Sequence, residues 1–377
     1  MLLRLSLLFA RSLHNGRLRL MFLTLIVMLI CGLTITYYQR TDLKMCFMEL
    51  DAQPHSENEG EAESLGDILL TEPMPTPGKS IFFHETSCHQ LELEKGKWQM
   101  GKLKLTPRQA CAIESAALHN PNFQVFVLFA SPTYLVWKNH SVMPLIDAIL
   151  SYKNVNIRRV NLWSYAAGTP IDEWVKDGQL FRSSYVISHI SDFLRYLTLY
   201  RFGGLYLDMD VVVLRSMEDV PPNYTGAEST TSLAAGVMNL APDGFGHEIA
   251  DLCLRNFQKH FDGSDWGNNG PGVITRVAEK ICGTKVISLM VEDHKRCLGF
   301  KVFERNAFYA VPWREWRVFF EPTYLDQTMA RTKDSYVAHV WNKHSKDLLI
   351  KVGSKAAYAK YAEQNCPKVF AATGEYF

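Results

Sequence analysis

From residue 79 onward, hydrophobic positions follow two alternating periods. The runs SIFFHE and FQVFVLFA predict strands, whereas TPRQACAIESAALHN and SVMPLIDAILSY have helical spacing. VNIRRVN reads as extended, and SSYVISHISDFLRYLTLYRF predicts a long helix that leads into the strand GGLYLDMDVVVL. Strands that alternate with helices predict an α/β fold with a parallel sheet, in which ligands bind at the carboxyl ends of the strands.

The N-terminal region contains an uncharged run, LMFLTLIVMLICGLTITYY, over residues 20–38. As a helix it would be about 28 Å long, close to the ~30 Å hydrocarbon core of a bilayer. Arginines precede the run and mixed charges follow it, so the positive-inside rule predicts a cytosolic N-terminus and a luminal bulk. A cleavable signal peptide is the alternative, but the run lacks a clear small-residue cleavage site.

These patterns predict a single-pass type II membrane protein with four segments. They are a cytosolic tail (1–19), a transmembrane signal-anchor (20–38), a luminal stem (39–78) and a folded luminal domain (79–377). The stem assignment rests on the acidic, turn-rich stretches SENEGEAES and EPMPTPG, which show little periodicity.

Composition and cysteine usage refine this organisation. With 377 residues, 47% of them hydrophobic, and a net charge of +1, the chain can build a large core and shows no charge pattern typical of nucleic-acid binding. An odd number of cysteines follows the apolar run, so one is expected to be free or intermolecular, with Cys46 as the candidate. Cys282 and Cys297 close a short loop and are the expected disulfide. Asn139 and Asn223 begin glycosylation sequons.

Asp208 and Asp210 lie two residues apart in a run that otherwise reads as a buried strand, so their side chains would share one face. Two unpaired carboxylates there would repel each other and be costly to desolvate, and a divalent cation removes both costs. Oxygen ligands suit Mg²⁺ or Mn²⁺, with phosphate oxygens completing the shell. Two exposed acids at a strand end are the structural alternative.

Three other motifs supply candidate ligands. Asp192 and Arg195 share one side of a predicted helix, where they could contact a nucleotide or form an ordinary surface ion pair. His339 and Trp341 share one face of YVAHVWNKHS, as a metal ligand and a stacking platform or as structural residues. Asn269, in WGNNGPGVITRV, lies in a turn where its amide could contact polar hydroxyls of a ligand.

The segment VPWREWRVFFEP places Trp313, Trp316 and Phe320 on one helical face. Core packing is the favoured interpretation of that face. Contact with a membrane-borne acceptor is the alternative.

The order of these motifs resembles a known family. SDFLRYLTLYRFGGLYLDMD resembles the S-D-x-x-R … G-G-x-Y-x-D-x-D signature of glycosyltransferases that use nucleotide sugars. GVMNLAP, GPGVITRV, VPWREW and AHVWNKHS are similar to segments of lactosylceramide 4-α-galactosyltransferases and α-1,4-N-acetylglucosaminyltransferases. The resemblance spans about residues 80–366. It implies a Golgi enzyme of GT-A-type α/β fold, with a single Rossmann-like nucleotide-sugar-binding domain and a mixed sheet.

The resemblance also implies a reaction and a site. The reaction is a retaining, Mn²⁺-dependent (or Mg²⁺-dependent) transfer of galactose or N-acetylgalactosamine from a UDP-sugar, in α-1,4 linkage, onto a glycolipid such as lactosylceramide. Attack on the same face, assisted by the leaving phosphate, is the expected mechanism. The implied catalytic residues are Asp208, Asp210 and Arg195, and the implied metal ligands are Asp208, Asp210 and His339. The implied substrate-binding residues are Asp192, Tyr206, Asn269, Trp341 and Asn342.

Other functions compete with this interpretation. One is α-1,4-N-acetylglucosaminyl transfer to glycoprotein glycans, and another is a catalytically silent, membrane-anchored glycan-binding protein. A phosphatase of the haloacid-dehalogenase type also uses a D-x-D-x-[TV] motif, but its nucleophilic aspartate lies near the start of the domain. The sequence leaves the oligomeric state open.

Overall fold

The computed structural model of the chain describes residues 20–32, 44, 46–48, 61–87, 91–94, 97–137 and 143–377. The chain divides into two units, Met1–Cys46 and Phe47–Phe377. In the first unit a helix covers residues 20–32, and no helix in the described part of the chain is long and apolar enough to cross a membrane.

The predicted transmembrane helix is therefore wrong. The described helix is about 20 Å long at 1.5 Å per residue, well short of the ~30 Å hydrocarbon core. The rest of the predicted span, residues 33–38, and the predicted cytosolic tail, residues 1–19, lie outside the described residues.

The second unit contains all the described strands. They are β1 (Glu61–Ser64), β2 (Ser80–Glu85), β3 (Leu91–Glu94), β4 (Lys97–Lys102), β5 (Gln124–Phe129), β6 (Thr133–Trp137), β7 (Val155–Arg159), β8 (Gly204–Leu207), β9 (Val211–Val213), β10 (Tyr224–Ala227), β11 (Leu233–Leu240), β12 (Lys301–Phe303) and β13 (Val337–His339).

Helices cover both the connections between strands and the C-terminal region. They are α1 (Pro107–His119), α2 (Pro144–Leu150), α3 (Leu162–Ala166), α4 (Asp172–Lys176), α5 (Val186–Phe202), α6 (Gly244–His260), α7 (Pro271–Cys282), α8 (Ile287–Glu292), α9 (Arg305–Phe308), α10 (Leu325–Thr332), α11 (Asn342–Ser345), α12 (Ala357–Asn365) and α13 (Pro367–Ala372). Short 3₁₀ helices cover Gln179–Arg182, Trp313–Phe319 and Pro322–Tyr324.

A seven-stranded sheet, in the order β12-β10-β11-β8-β2-β5-β7, forms the centre of this unit. Strand β11 is antiparallel to both of its neighbours, while the pairs β2–β8, β2–β5, β5–β7 and β10–β12 are parallel. The α/β class and the mixed sheet are confirmed. The purely parallel sheet that the alternation predicted is wrong, because β11 follows β10 through a short turn that needs no crossover helix.

The topology brings three acidic residues to one edge of the sheet. Strands β2, β8 and β10 run in the same direction, so their carboxyl ends lie at the same edge, where Glu85 ends β2 and Asp208 and Glu228 follow β8 and β10. After β7 the chain returns to the other side of β2 to form β8, so the strand order reverses between β2 and β8. A crevice at such a reversal is where open α/β sheets bind ligands.

Local sequence explains the elements nearest this edge. Strand β2 is buried along its whole length, as expected for a central strand covered on both faces. Helix α5 ends at Phe202, and Gly203 follows with a φ of 60°, a conformation that disfavours residues with a side chain. The chain therefore enters β8 directly after the helix.

Part of the predicted stem belongs to the folded unit. Strand β1, within the predicted stem, pairs with β6, and Leu65 and Ile68 are buried. The domain therefore begins before residue 79, because these apolar side chains pack in its core.

Of the two predictions about cysteines, the disulfide is confirmed and the free cysteine is wrong. Cys282 and Cys297 form the expected disulfide, and Cys111 pairs with Cys366. Cys46, the predicted free cysteine, is disulfide-bonded, whereas Cys253 is a buried free thiol. The cysteine count predicted an unpaired residue but could not show which one is enclosed by apolar neighbours.

Candidate functional site

Asp208 and Asp210 lie in a turn at the carboxyl end of the central strand β8. The strand ends at Leu207 and β9 begins at Val211, so the continuous strand predicted over residues 203–214 is wrong at these positions. The Asp208 backbone N–H donates to the Gly236 carbonyl at 2.9 Å, which fixes the turn against β11. Both side chains line the same cavity.

His339 reaches the two aspartates through strand pairing. Strand β13 pairs with β9 so that His339 lies opposite Val211. Its Nε2 is 3.3 Å from an Asp210 oxygen and 3.7 Å from an Asp208 oxygen. The strands that bring these residues together are far apart in sequence. This arrangement is called the metal triad below: Asp208, Asp210 and His339.

The metal triad fits a divalent cation. One ligand atom from each residue lies within 4.8 Å of the other two, and the donors are two carboxylate oxygens and an imidazole nitrogen. Gly236 leaves the space open, because a Cβ there would be 2.6 Å from Asp208 Oδ2 and 3.2 Å from His339 Nε2. The backbone of β11 therefore lies so close to the triad that only glycine fits at residue 236 without displacing a ligand atom.

Arg195 links the metal triad to helix α5. Its Nη2 is 3.1 Å from Asp192 Oδ1 and 3.4 Å from Asp208 Oδ1, and its Nη1 donates to the Ala235 carbonyl at 2.8 Å. Asp192 and Arg195 are 5% and 6% exposed, which excludes the surface ion pair considered above. Tyr206 lies beneath the guanidinium and donates its hydroxyl to Asp208 Oδ1 at 2.7 Å.

One guanidinium shared between two carboxylates leaves this buried cluster short of positive charge. Burial raises the pKa of Asp208, but Arg195 and His339 lower it by a larger amount. The pKa of Asp208 therefore lies below its ordinary value. Burial raises the pKa of Asp192 to about 7, because its share of Arg195 does not offset desolvation. Burial also raises the pKa of Asp210, with Asp208 adding to the effect and His339 opposing it.

The loop after β13 completes one side of the site. The Asn342 backbone N–H donates to Asp210 Oδ2 at 2.7 Å, and the Trp341 indole donates to the Val311 carbonyl at 2.9 Å. The Trp341 and His339 rings are 4.3 Å apart between centroids. Both predicted residues therefore line the cavity, but Asn342 contacts the triad through its backbone.

The cavity has a volume of about 670 Å³, which suits a ligand of drug or nucleotide size. Sequence reasoning did not assign several of its lining residues, among them His84, Glu228, Trp266 and Tyr309. Trp266 begins the segment WGNNGPGVITRV, in which only Asn269 was singled out. The other three lie in no chemically distinctive pattern, and only the folded arrangement of the chain brings them to the triad.

Asn269 is not part of this cavity, so the predicted sugar contact is wrong. Its side chain is fully buried, accepts from the Asp262 N–H at 3.0 Å and donates to the Asp262 carbonyl at 2.7 Å. The remaining amide hydrogen faces His189. The residue holds the loop of residues 262–270 against α5, and Trp266 is the member of that loop that lines the cavity.

The aromatic segment after residue 312 divides between surface and core. Trp313–Phe319 is a 3₁₀ helix, so the three aromatic residues do not share one α-helical face. Trp313 is 40% exposed and lines the cavity, whereas Phe320 is buried. The core interpretation holds for Phe320 and, in part, for Trp316, which is half-buried and packs against Phe320.

The two sequons differ in what the structure describes. Asn139 lies outside the described residues. Asn223 is half-buried, has a φ of 69° and accepts a hydrogen bond from the Ala241 N–H at 2.9 Å through its side-chain oxygen. Glycosylation at both positions stays a prediction.

Two family models match the chain. Residues 242–373 match the alpha 1,4-glycosyltransferase conserved region, and residues 106–227 match the glycosyltransferase sugar-binding region containing the DXD motif. The second match ends at β10 and includes Asp208 and Asp210; the first includes His339.

Curated relatives cover most of the second unit. The chain is 30% identical to the lactosylceramide 4-alpha-galactosyltransferase of Rattus norvegicus over 259 residues, 68% of this chain and 69% of the relative. It is 29% identical to the Homo sapiens protein of the same name over 297 residues, 78% and 76%. It is 24% identical to the Homo sapiens alpha-1,4-N-acetylglucosaminyltransferase over 263 residues, 69% and 74%.

Solved structures match more distantly. A PaToxG glycosyltransferase matches with a TM-score of 0.37 and 16% identity, over 70% of this chain and 90% of that chain. A galactosyltransferase in complex with donor and acceptor sugar analogs matches with a TM-score of 0.32 and 15% identity, over 78% and 96%.

Proposed function

Since the chain belongs to the α-1,4-glycosyltransferase family of the lactosylceramide 4-alpha-galactosyltransferases, we propose that it transfers galactose from a UDP-sugar, with Mn²⁺, to a glycolipid acceptor. It is an α-1,4-glycosyltransferase that uses a nucleotide-sugar donor and a glycoconjugate acceptor. The proposed parts are the sugar, the metal, the lipid and a location in the Golgi lumen. The disulfides Cys111–Cys366 and Cys282–Cys297 support an oxidising compartment.

The metal triad and its link to Arg195 are the observation that carries the proposal. A UDP-sugar presents a diphosphate, which is recognised by a divalent cation and fixed positive charge. Asp208, Asp210 and His339 would hold the cation, which would offset the negative charge of the departing diphosphate. The choice of Mn²⁺ over Mg²⁺ is supported by the imidazole donor, since Mg²⁺ prefers oxygen alone.

Positive side chains surround the position proposed for the diphosphate. Arg195 is held by four acceptors, and the two carboxylates beside it raise its pKa above the ordinary value in spite of burial. Lys343, in α11, and Lys346, at its end, also line the cavity. Such preorganised charge stabilises a leaving group without rearrangement during the reaction.

The sheet topology supports an orientation for the donor. The nucleoside would lie in the crevice between β2 and β8, next to Thr86 and Ser188, which line the cavity on that side. Asp192 and Ser191 would receive hydroxyls of the nucleotide-sugar. In the transfer, the bond between the anomeric carbon and the diphosphate oxygen breaks, an acceptor hydroxyl oxygen bonds to that carbon on the same face, and its proton passes to the leaving diphosphate.

The test is UDP release by the full chain with UDP-galactose, UDP-N-acetylgalactosamine and UDP-N-acetylglucosamine, each with Mn²⁺, Mg²⁺ or chelator. We expect release from UDP-galactose that requires Mn²⁺ and falls on the order of 1,000-fold in Asp210→Asn. Asp326→Asn, at an exposed acid away from the site, is the control.

The other outcomes separate the parts of the proposal. A preference for a different UDP-sugar would overturn the choice of galactose but not the transferase. Release that is indifferent to chelator and to Asp210→Asn would overturn the metal site. Reaction of the galactose donor with lactosylceramide but not with glycoprotein glycans would support the glycolipid acceptor, and the reverse would overturn it.

A further inference from the structure

Two polar side chains face the cavity on the side of the metal triad opposite the β2–β8 crevice. Glu228 follows β10, and Tyr309 follows α9; both line the cavity. The side chain of Glu228 receives no hydrogen bond from a described residue, and the Tyr309 hydroxyl is buried without a partner among them. A buried hydroxyl is normally paired, so the Tyr309 hydroxyl calls for a ligand, and the half-buried Glu228 carboxylate beside it is free to accept hydrogen bonds from the same ligand.

The surrounding backbone fixes both side chains. The Glu228 N–H donates to the Ser232 carbonyl at 3.0 Å, and the Ser232 N–H donates to the Ser229 hydroxyl at 3.1 Å, which closes the turn between β10 and β11. The Tyr309 ring packs so close to Gly226 that a Cβ there would be 3.2 Å from it. The turn that carries Glu228 and the ring of Tyr309 are therefore in place without a ligand.

Glu228 and Tyr309 lie near each other and near the metal triad. The Tyr309 and His339 rings are 5.4 Å apart between centroids. Burial raises the pKa of Tyr309, and the negative charges of Asp208 and Glu228 raise it further. Strand β10 is two strands from β8, which places the start of the Glu228 turn about 10 Å from the Asp208 turn.

This inference rests on the donor orientation proposed above. With the donor placed in that way, Glu228 and Tyr309 are left to bind the acceptor. The nucleoside occupies the β2 side and the diphosphate occupies the triad, so a sugar acceptor must approach from the β10 side. A carboxylate and a phenol are the groups that bind sugar hydroxyls, one as acceptor only and one as donor or acceptor. We propose that Glu228 and Tyr309 form the acceptor-binding site and hydrogen-bond hydroxyls of the terminal acceptor sugar.

The test measures acceptor binding separately from donor chemistry. Lactose is titrated into the full chain with UDP and Mn²⁺ present, and its dissociation constant is read by ligand-observed NMR. Release of UDP from the donor in the absence of acceptor is measured in parallel. The variants are Glu228→Gln, Glu228→Ala and Tyr309→Phe.

We expect Glu228→Ala to weaken lactose binding at least tenfold, Glu228→Gln to have an intermediate effect, and Tyr309→Phe to weaken it severalfold. The loss of lactose affinity should exceed any change in acceptor-free release of UDP by at least fivefold. Tyr309→Phe removes a hydroxyl that has no described protein partner, so it should leave the fold intact, and its effect reports a ligand contact.

A matched carboxylate lies on the other side of the triad. Glu85 lines the same cavity but is already paired with the Ser87 N–H, at 2.7 Å, and with the Gln109 amide. Glu85→Gln should leave lactose affinity within twofold. The inference is overturned if wild type does not bind lactose, if the Glu228 and Tyr309 variants bind it normally, or if they lose acceptor-free UDP release in parallel. Absence of UDP release from wild type would instead overturn the proposed transferase.

Discussion

Two turns that the sequence marks as ligand-binding differ in how fully neighbouring residues compensate their polar side chains. In the turn of residues 208–210, two carboxylates and His339 converge with excess negative charge and an open space that Gly236 preserves. In the loop of residues 262–270, the Asn269 amide is fully buried, and its oxygen and nitrogen both contact neighbouring residues.

The difference shows how a binding residue can be told from a structural one. Asn269 already has partners for its oxygen and its nitrogen, so a substrate could bind it only by breaking native hydrogen bonds. Asp208 and Asp210 gain from a cation, because the cation relieves their repulsion. Asparagine and aspartate side chains are both suited to binding a ligand. Whether a residue binds a ligand or stabilises the fold depends on whether neighbouring residues already satisfy its polar atoms.

The largest expected effect that separates the two turns is on folding. Asn269→Ala should lower the free energy of unfolding by about 3 kcal/mol, because it removes a fully buried side chain and leaves the Asp262 N–H and carbonyl and the buried His189 ring without their partner. Mn²⁺ affinity and the KM for the donor should not change at temperatures where the variant is folded. Urea unfolding and Mn²⁺ titration measure the two effects.

A second asparagine provides the control. The Asn156 amide makes one hydrogen bond, of 3.3 Å, to the Asn154 carbonyl, so Asn156→Ala should cost less than about 1 kcal/mol. If Asn269→Ala keeps the stability of wild type but raises the donor KM, Asn269 binds substrate and the contrast between the two turns is lost.

The sequence predicted the parts of the site that depend on local pattern. The helical period and the Gly203-Gly204 pair predicted α5 and the strand after it, and the observed helix, Val186–Phe202, ends where the glycines begin. Asp192 and Arg195 are adjacent because they are three positions apart on that helix. These features need no knowledge of distant contacts.

The parts that depend on strand order could not be predicted in the same way. The pairing of β13 with β9 brings His339 to Asp210, and nothing in the intervening residues specifies that register. Glu228 and Tyr309 reach the cavity only because β10 lies two strands from β8. Strands β10 and β11 themselves are short or rich in small residues, and the sequence did not predict them.

A smaller effect is expected at Gly236, on the metal triad alone. In Gly236→Ala the new Cβ would displace the Asp208 carboxylate, since Oδ2 lies 2.6 Å from its position. We expect Mn²⁺ affinity to fall roughly 10- to 100-fold, as for changes that disturb the orientation of a metal ligand. The fold should be affected less, because the displaced atom is the end of a side chain in a cavity.

Gly267 gives the matched substitution in the other turn. A Cβ there would meet no atom closer than Asp265 Oδ1, at 3.7 Å, which is an ordinary contact. Gly267→Ala should therefore leave Mn²⁺ affinity and thermal stability unchanged. Equal Mn²⁺ affinity in Gly236→Ala and wild type would show that the close approach of β11 does not position Asp208.

The last expected effect is on the pH dependence of the free energy of unfolding, to which the two regions contribute with opposite sign. Burial raises the folded-state pKa of Asp192 to about 7 from 3.8, so between these values the folded protein keeps a proton that the unfolded chain has lost. The contribution of Asp192 to the free energy of unfolding should therefore fall as the pH rises from 4 to 7, by at most about 1.4 kcal/mol per pH unit, and it is measured as the difference between wild type and Asp192→Asn in urea unfolding with chelator present. Asp192→Asn should remove this slope.

Asp262, in the other turn, titrates in the opposite direction. Its carboxylate accepts from the Ser264 hydroxyl at 2.6 Å and from the Ser264 N–H at 2.8 Å, which lowers its pKa. Its contribution to stability is therefore present above its unfolded pKa and is lost as the pH falls below it, so Asp262→Asn should leave the slope between pH 4 and 7 as in wild type. Parallel profiles for wild type and Asp192→Asn would mean that Arg195 fully compensates Asp192. The charge deficit of the cluster would then lie on the metal triad alone.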